Sequence, residues 1–198
     1  MAVLENLSRR AVLLGMGAGA LVLAVNLPAR AQDAPEEPLK FGADAMPHGW
    51  KDDPNIFVAI DPDGTVTVTV HRSEMGQGVR TSIAMAVADE LEADWARVKV
   101  AQAPGDEPTY GNQDTDGSRS LRHFFDPMRR AGAAARQMLR EAAAAEWGVP
   151  VEEVTAENHI LRHEASGREA GYGDMATRAA EGPVPAREGL VLKSPDQF

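Results

Sequence analysis

Strict alternation of apolar and polar residues marks Val66-Thr67-Val68-Thr69-Val70, which puts the three valines on one face of a β-strand. The run before it is set off by Asp61-Pro62-Asp63-Gly64, where Asp-Gly supplies the positive backbone angles of a tight turn. The stretch 55–71 is therefore predicted to be a β-hairpin. Past Gln77 the period lengthens to four: Val79, Ile83, Val87 and Leu91 share a face while Asp89, Glu90 and Glu92 fall elsewhere, predicting a helix of about sixteen residues. "WARVKVAQAP" alternates again at Val98 and Val100 and predicts a strand. Residues 105–127 have no period and are rich in glycine and hydroxyls, as a long functional loop would be. Asp126 then suits an N-cap with Pro127 at the first helical position, opening an alanine-rich helix that runs to Gly148. Met128, Ala131, Ala135, Leu139 and Ala142 form a narrow small-residue stripe on it, which lets a neighbouring backbone or cofactor lie close, ordinary tight packing being the reading preferred. Pro150 opens a short turn, and "TAENHILRHEASGRE" predicts a second hairpin around Ser166-Gly167. The fold class expected is α+β: β-hairpins and a small mixed sheet packed by two main helices over 55–198.

The N-terminus changes this picture by adding an address. Arg9 and Arg10 precede a glycine-rich apolar run, and Ala29-Arg30-Ala31 offers a small-residue cleavage site, so 1–31 is expected to be a twin-arginine export signal. The run falls short of the roughly twenty residues of a spanning helix, so no stable membrane span is expected after cleavage. The destination is then the periplasm, and export of a folded chain by this route suits a protein loaded with a complex cofactor beforehand. Residues 32–54 are rich in proline and acid and are expected to be an extended leader. Losing Arg9, Arg10, Arg30 and Glu5 takes the net charge from −10 to −12, which removes nucleic acid and anionic membrane as default partners. The chain has no cysteine, which excludes disulfides, thiolate metal sites and iron–sulfur ligation.

Candidate chemistry centres on Gly76-Gln77-Gly78, a bare backbone with one amide side chain at a strand-to-helix junction. The first N–H groups of a helix suit a phosphate or other anionic group, and glycine admits close approach; a strained turn without ligand fits the same residues equally well. Two other stretches imitate calcium loops without completing them. After Asp61-Pro62-Asp63-Gly64, Thr65 and Arg72 stand where oxygen ligands are needed; after Asn112, Asp114, Asp116 and Gly117, Arg119 replaces an apolar residue and His123 the bidentate glutamate. His159 and His163, four apart, suit a metal only on a helix, and in this strand-rich stretch they are expected to be surface or core residues.

Five separated stretches in order, "SEMGQGVRTSIAMAVADEL", "DWARVKV", "TDGSRS", "DPMRRAGAAARQML" and "WGV…AENHIL…SGREAGYGDM", resemble the molybdopterin-binding large subunits of the isoquinoline 1-oxidoreductase type, within the xanthine dehydrogenase and aldehyde oxidase family. The resemblance implies that Gln77 donates its amide to an oxo ligand of molybdenum and that Met75, Gly76 and Gly78 border the pterin cofactor, in the cytosine dinucleotide form. It also implies cofactor contact by Gly117, Ser118 and Ser120, although the usual Thr-Gly-Gly-Ser-Thr-Ser reads Thr115-Asp116-Gly117-Ser118-Arg119-Ser120 here. An amide can polarise an oxo group without adding a negative ligand. Subunits of this type run well beyond this length and carry a glutamate base in the added part, so no catalytic or metal-ligating residue is implied in this chain. Its implied partners are the remainder of the large subunit and a small subunit holding the iron–sulfur clusters. Two functions follow: the N-terminal cofactor-binding module of an exported molybdenum hydroxylase acting on N-heterocycles or aldehydes, expected to be incomplete alone and to hold the cofactor only with the remainder of the subunit, or a non-catalytic exported binding or scaffold remnant of one.

Overall fold

The computed structural model describes residues 42–198. The expected export signal and the first part of the expected leader lie outside the described residues. A helical turn, α1 (Pro54–Phe57), leads into β1 (Val58–Ile60), which pairs antiparallel with β2 (Val66–Val70), Val58 opposite Val68 and Ile60 opposite Val66. Helix α2 (Val79–Leu91) then carries the chain back to β3 (Val98–Gln102), which lies parallel to β2 with Val66 opposite Val98 and Val70 opposite Gln102. Two short helices, α3 (Glu107–Tyr110) and α4 (Arg119–Arg122), precede the long α5 (Phe125–Trp147). Strands β4 (Val154–Glu157), β5 (Ile160–His163) and β6 (Arg168–Gly171) form an antiparallel meander, followed by α6 (Tyr172–Glu181). The α+β class, the small mixed sheet and the two main helices are present as expected.

The alternation in β2 does what its pattern dictates: Val66, Val68 and Val70 are fully buried while Thr67 and Thr69 are half-buried. They pack beneath Val79, Ile83, Val87 and Leu91 of α2 and the Met128–Ala142 stripe of α5. Small residues on that stripe let the helices close in, and at Gly132 an added Cβ would stand 2.4 Å from Val87 O. The second sheet is tied to the first through its turn: His159 Nε2 lies 2.7 Å from Gly64 O, its ring stacks on Tyr172, and the Tyr172 hydroxyl donates to Leu91 O at 2.6 Å. Burial is the main reason the His159 ring is held below its usual pKa.

Several boundaries differ from expectation. Asn55–Phe57 is a helical turn rather than strand, because Asp53 accepts from Asn55 N at 3.0 Å and Pro54 supplies a helical φ at the first position. Part of the stretch expected as leader is packed: Trp50 stacks on Phe57 at 4.7 Å, and Gly49 O accepts from Asn112 N. Helix α2 has thirteen residues rather than about sixteen, ending where Glu92 turns left-handed. Helix α5 starts at Phe125, so Asp126 lies in its first turn instead of capping it. Residues 105–127 are not wholly irregular, since α3 and α4 lie within them. The second hairpin around Ser166-Gly167 gains β4, joined to β5 by Asn158 and His159 at φ 44 and 74. Among the described residues no helix is long and apolar enough to cross a membrane.

Candidate functional site

Because β2 and β3 are parallel, the segments leaving their C-terminal ends emerge at one edge of the sheet. From β2 come Ser73–Gly78; from β3 comes the stretch through α3 to Ser120. They meet directly where Ser73 N donates to Thr115 Oγ1 at 3.0 Å. Gln113 steadies the second stretch, donating to Pro104 O at 2.8 Å and accepting from Asp106 N at 2.7 Å. A cleft of about 430 Å³ opens here, lined by Ser73, Glu74, Arg80, Gln102, Gly105 and Gln113 among others.

The glycine loop has the backbone its composition demands. Gly76 and Gly78 sit at φ 97 and 80, and Gly78 is the N-cap of α2; a Cβ on either would meet nothing within 4 Å. The helix start holds an anion, but that anion belongs to the loop itself. Glu74 Oε1 accepts from Gly76 N at 2.7 Å and Gly78 N at 2.9 Å, and Oε2 accepts from Arg80 N at 3.0 Å. These donors, led by Arg80 N, hold the Glu74 carboxyl below the usual carboxylate range. Of the two alternatives the sequence left open, an anionic ligand or a turn without one, this structure shows the N–H groups taken by the nearest carboxylate in sequence. Gln77 is likewise engaged, donating from Nε2 to Ser73 O at 2.9 Å and accepting from Met75 N at 2.5 Å, while Met75 is 70% exposed. Glu74→Ala is expected to speed hydrogen exchange of the Gly76, Gly78 and Arg80 amides at neutral pH and leave α5 protected. In the native chain the cap is complete above the ordinary carboxylate pKa and is lost as pH falls through the depressed one, so the same loosening appears only in acid. Equal exchange in the variant would show that Glu74 is not the cap.

The second loop divides the residues expected in it. Gly117 and Ser118 are exposed, at φ 48 and 56. Ser120 is buried and turned inward, where its Oγ accepts from Arg72 Nε at 3.1 Å. Asp116, which replaces a glycine of the resembled motif, pairs with Arg119 at 3.2 Å.

Arg72, which sequence reasoning assigned only as a misfit in a calcium loop, is the buried link between the loops. It is 0% exposed, its Nη1 donates to Asn112 O at 2.7 Å and Asn112 Oδ1 at 2.8 Å, and its guanidinium lies 4.4 Å from the Phe124 ring centre. Burial lowers its pKa to about 10, opposed by Asp114 and Asp116. The available signal was its place, two residues beyond the last buried valine of β2 and four before Gly76. His163 bonds Ser166 Oγ and Glu153, and among the described residues no group of three or more His, Cys, Asp or Glu is placed to hold a metal ion.

A family model described as molybdopterin cofactor-binding domain matches residues 14–194. The isoquinoline 1-oxidoreductase subunit beta of Brevundimonas diminuta is 36% identical over 177 residues, 86% of this chain and 22% of that protein. The membrane-bound aldehyde dehydrogenase [pyrroloquinoline-quinone] of Gluconacetobacter polyoxogenes is 35% identical over 134 residues, 68% of this chain and 17% of that one. The chain thus spans about a fifth of the length of these curated relatives. Among solved structures, quinoline 2-oxidoreductase from Pseudomonas putida 86 superposes with a TM-score of 0.50 at 24% identity, over 64% of this chain and 16% of that one. The Cu,Mo-CO dehydrogenase superposes with a TM-score of 0.51 at 22% identity, over 60% of this chain and 15% of that one, so the likeness to both is one of fold.

Proposed function

The chain belongs to the molybdopterin cofactor-binding domain family, and from that premise we propose that it is the cofactor-binding module of an exported molybdenum hydroxylase large subunit, acting on nitrogen heterocycles or aldehydes. The observation that carries the reading is the exposed Ser73–Gly78 loop, whose Ser73 and Glu74 line the cleft and whose Ser73 N bonds Thr115 of the loop beside it. Support for the substrate classes comes from the names of the relatives in Brevundimonas and Gluconacetobacter. The rest of a large subunit and an iron–sulfur small subunit are the proposed partners, the periplasm the proposed location after twin-arginine export, and the cytosine dinucleotide the proposed form of the pterin.

The residues present fit the cofactor on the glycine side. Gly76 and Gly78 leave their outer faces open, so the backbone can lie against a flat heterocycle. Gln77 would hold the metal end by turning its amide N–H away from Ser73 O, and Met75 would cover the apolar edge. Glu74 already fills the helix start, so the phosphates of the cofactor fall to other residues; Gly117 and Ser118, both exposed, are the candidates in this chain. When bound, the molybdenum centre supplies transfer of a water-derived oxygen and takes up the substrate's electrons. The chain's own contribution is to place one neutral donor and to shield one side of the site from water.

Isolation of the complex from its native host through a tag on this chain is expected to bring down equimolar molybdenum, read by elemental analysis. A metal-free complex, from cells whose other molybdenum enzymes are loaded, would overturn the proposal. In the loaded complex Gln77→Ala is expected to lower turnover about 100-fold, the usual cost of one lost oxyanion-type donor, while stability moves by less than about 1 kcal/mol because the amide is exposed. Unchanged turnover with metal retained removes Gln77 from the site.

A further inference from the structure

We propose that Arg72 is a positioning residue: one buried guanidinium joins the Ser73–Gly78 loop to the 112–120 stretch, so that both sides of the cleft are set together. The purpose of this coupling rests on the cofactor reading above; the coupling itself rests on geometry. Arg72 is covalently next to Ser73, and its Nε and Nη1 bond Ser120 Oγ, Asn112 O and Asn112 Oδ1. Asn112, itself fully buried, passes the tie onward through its N–H to Gly49 O and its side-chain amide toward Asp114 at 3.4 Å. Ser73 N and Thr115 Oγ1 close the ring from the other side.

A purely stabilising role does not explain this choice of side chain. Arg72 makes no salt bridge among the described residues, its charge being balanced at longer range by Asp114 and Asp116, and its Nη2 is buried without a hydrogen-bond partner. An isolated buried cation costs desolvation, and an apolar residue of similar volume would pack beside Phe124 without that penalty. What the guanidinium adds is a planar fork that fixes Asn112 and Ser120 in one orientation relative to the β2 end, which the single point of a lysine ammonium does not reproduce.

The test is hydrogen exchange read by mass spectrometry on the full chain, comparing native protein with Arg72→Lys and Ser120→Ala. For Arg72→Lys, exchange in both 73–80 and 112–122 is expected to rise about tenfold, the factor for a lost charge-assisted hydrogen bond, while α5 and β4–β6 stay within about twofold. Ser120→Ala removes a single acceptor remote in sequence from Ser73, and is expected to loosen the same two stretches to a smaller degree. It keeps the test decidable should Arg72→Lys not fold. Loosening of 112–122 with 73–80 unchanged, or a uniform rise that includes α5, would overturn the proposal and make Arg72 an ordinary core residue. Neither readout needs bound cofactor, so a negative result for molybdenum or Gln77 leaves this one to stand or fall alone.

Discussion

Gly132→Ala is expected to destabilise the fold by about 2–3 kcal/mol, the range of an overpacked core. Alanine ordinarily favours a helix interior over glycine by roughly 1 kcal/mol, so the sign itself is diagnostic. Here the added Cβ would stand 2.4 Å from Val87 O and 3.0 Å from Glu90 Cβ. The first contact is with backbone, so relief requires α2 and α5 to move apart along their shared face. Separation would also disturb Glu90, which is 0% exposed and takes hydrogen bonds from Arg129 Nε at 2.9 Å and from Lys193 N at 3.2 Å. Urea unfolding gives the answer directly: a variant as stable as the native chain would mean the helices yield more easily than their packing indicates.

The second large effect is a loss of stability in mild acid. His71 is 1% exposed, lies against Trp50, Phe57 and Phe124, and has no hydrogen-bond partner at either ring nitrogen among the described residues. Burial first, and the Arg72 charge second, push its pKa down to about 3. The unfolded chain therefore binds a proton near pH 6.5 that the folded chain refuses until about pH 3. Its contribution is complete above pH 6.5 and is lost as pH falls through that window, amounting to roughly 2 kcal/mol between pH 6.5 and 5. His159 is shifted the same way and adds to the slope, whereas Asp63 and Glu74, both depressed, act only in stronger acid. His71→Leu is expected to keep most of its neutral-pH stability down to pH 5. Equal acid loss in variant and native protein would assign the slope elsewhere.

What could be read in advance was whatever depends on local period. Val66–Val70 and Val79–Leu91 each bury one face because side-chain direction follows backbone repeat, and nothing distant has to be known. Gly76 and Gly78 were legible for the same reason, since their positive φ values answer a local need. The missed features are those in which distant residues decide. Glu74 could be recognised as an acid near a helix start, but its three N–H partners depend on how the loop folds back. Arg72 and Ser120 are 48 residues apart, and no period relates them. Tyr172–Glu181 went unseen as a helix, though Tyr172, Met175 and Ala179 recur at helical spacing once the strand before them is known to end at Gly171. Trp50 shows the reverse error: an acidic, proline-rich surrounding masked one aromatic that stacks into the core.

The glycine loop keeps its form without help. Glu74 satisfies its amides and Gln77 braces its carbonyl and N–H, so the conformational entropy of ordering those six residues is spent when the chain folds and not when a ligand arrives. On the proposed reading, ligand entry would then be an exchange of one hydrogen-bond partner for another at the Gln77 side chain, with no disorder-to-order transition of the backbone to complete.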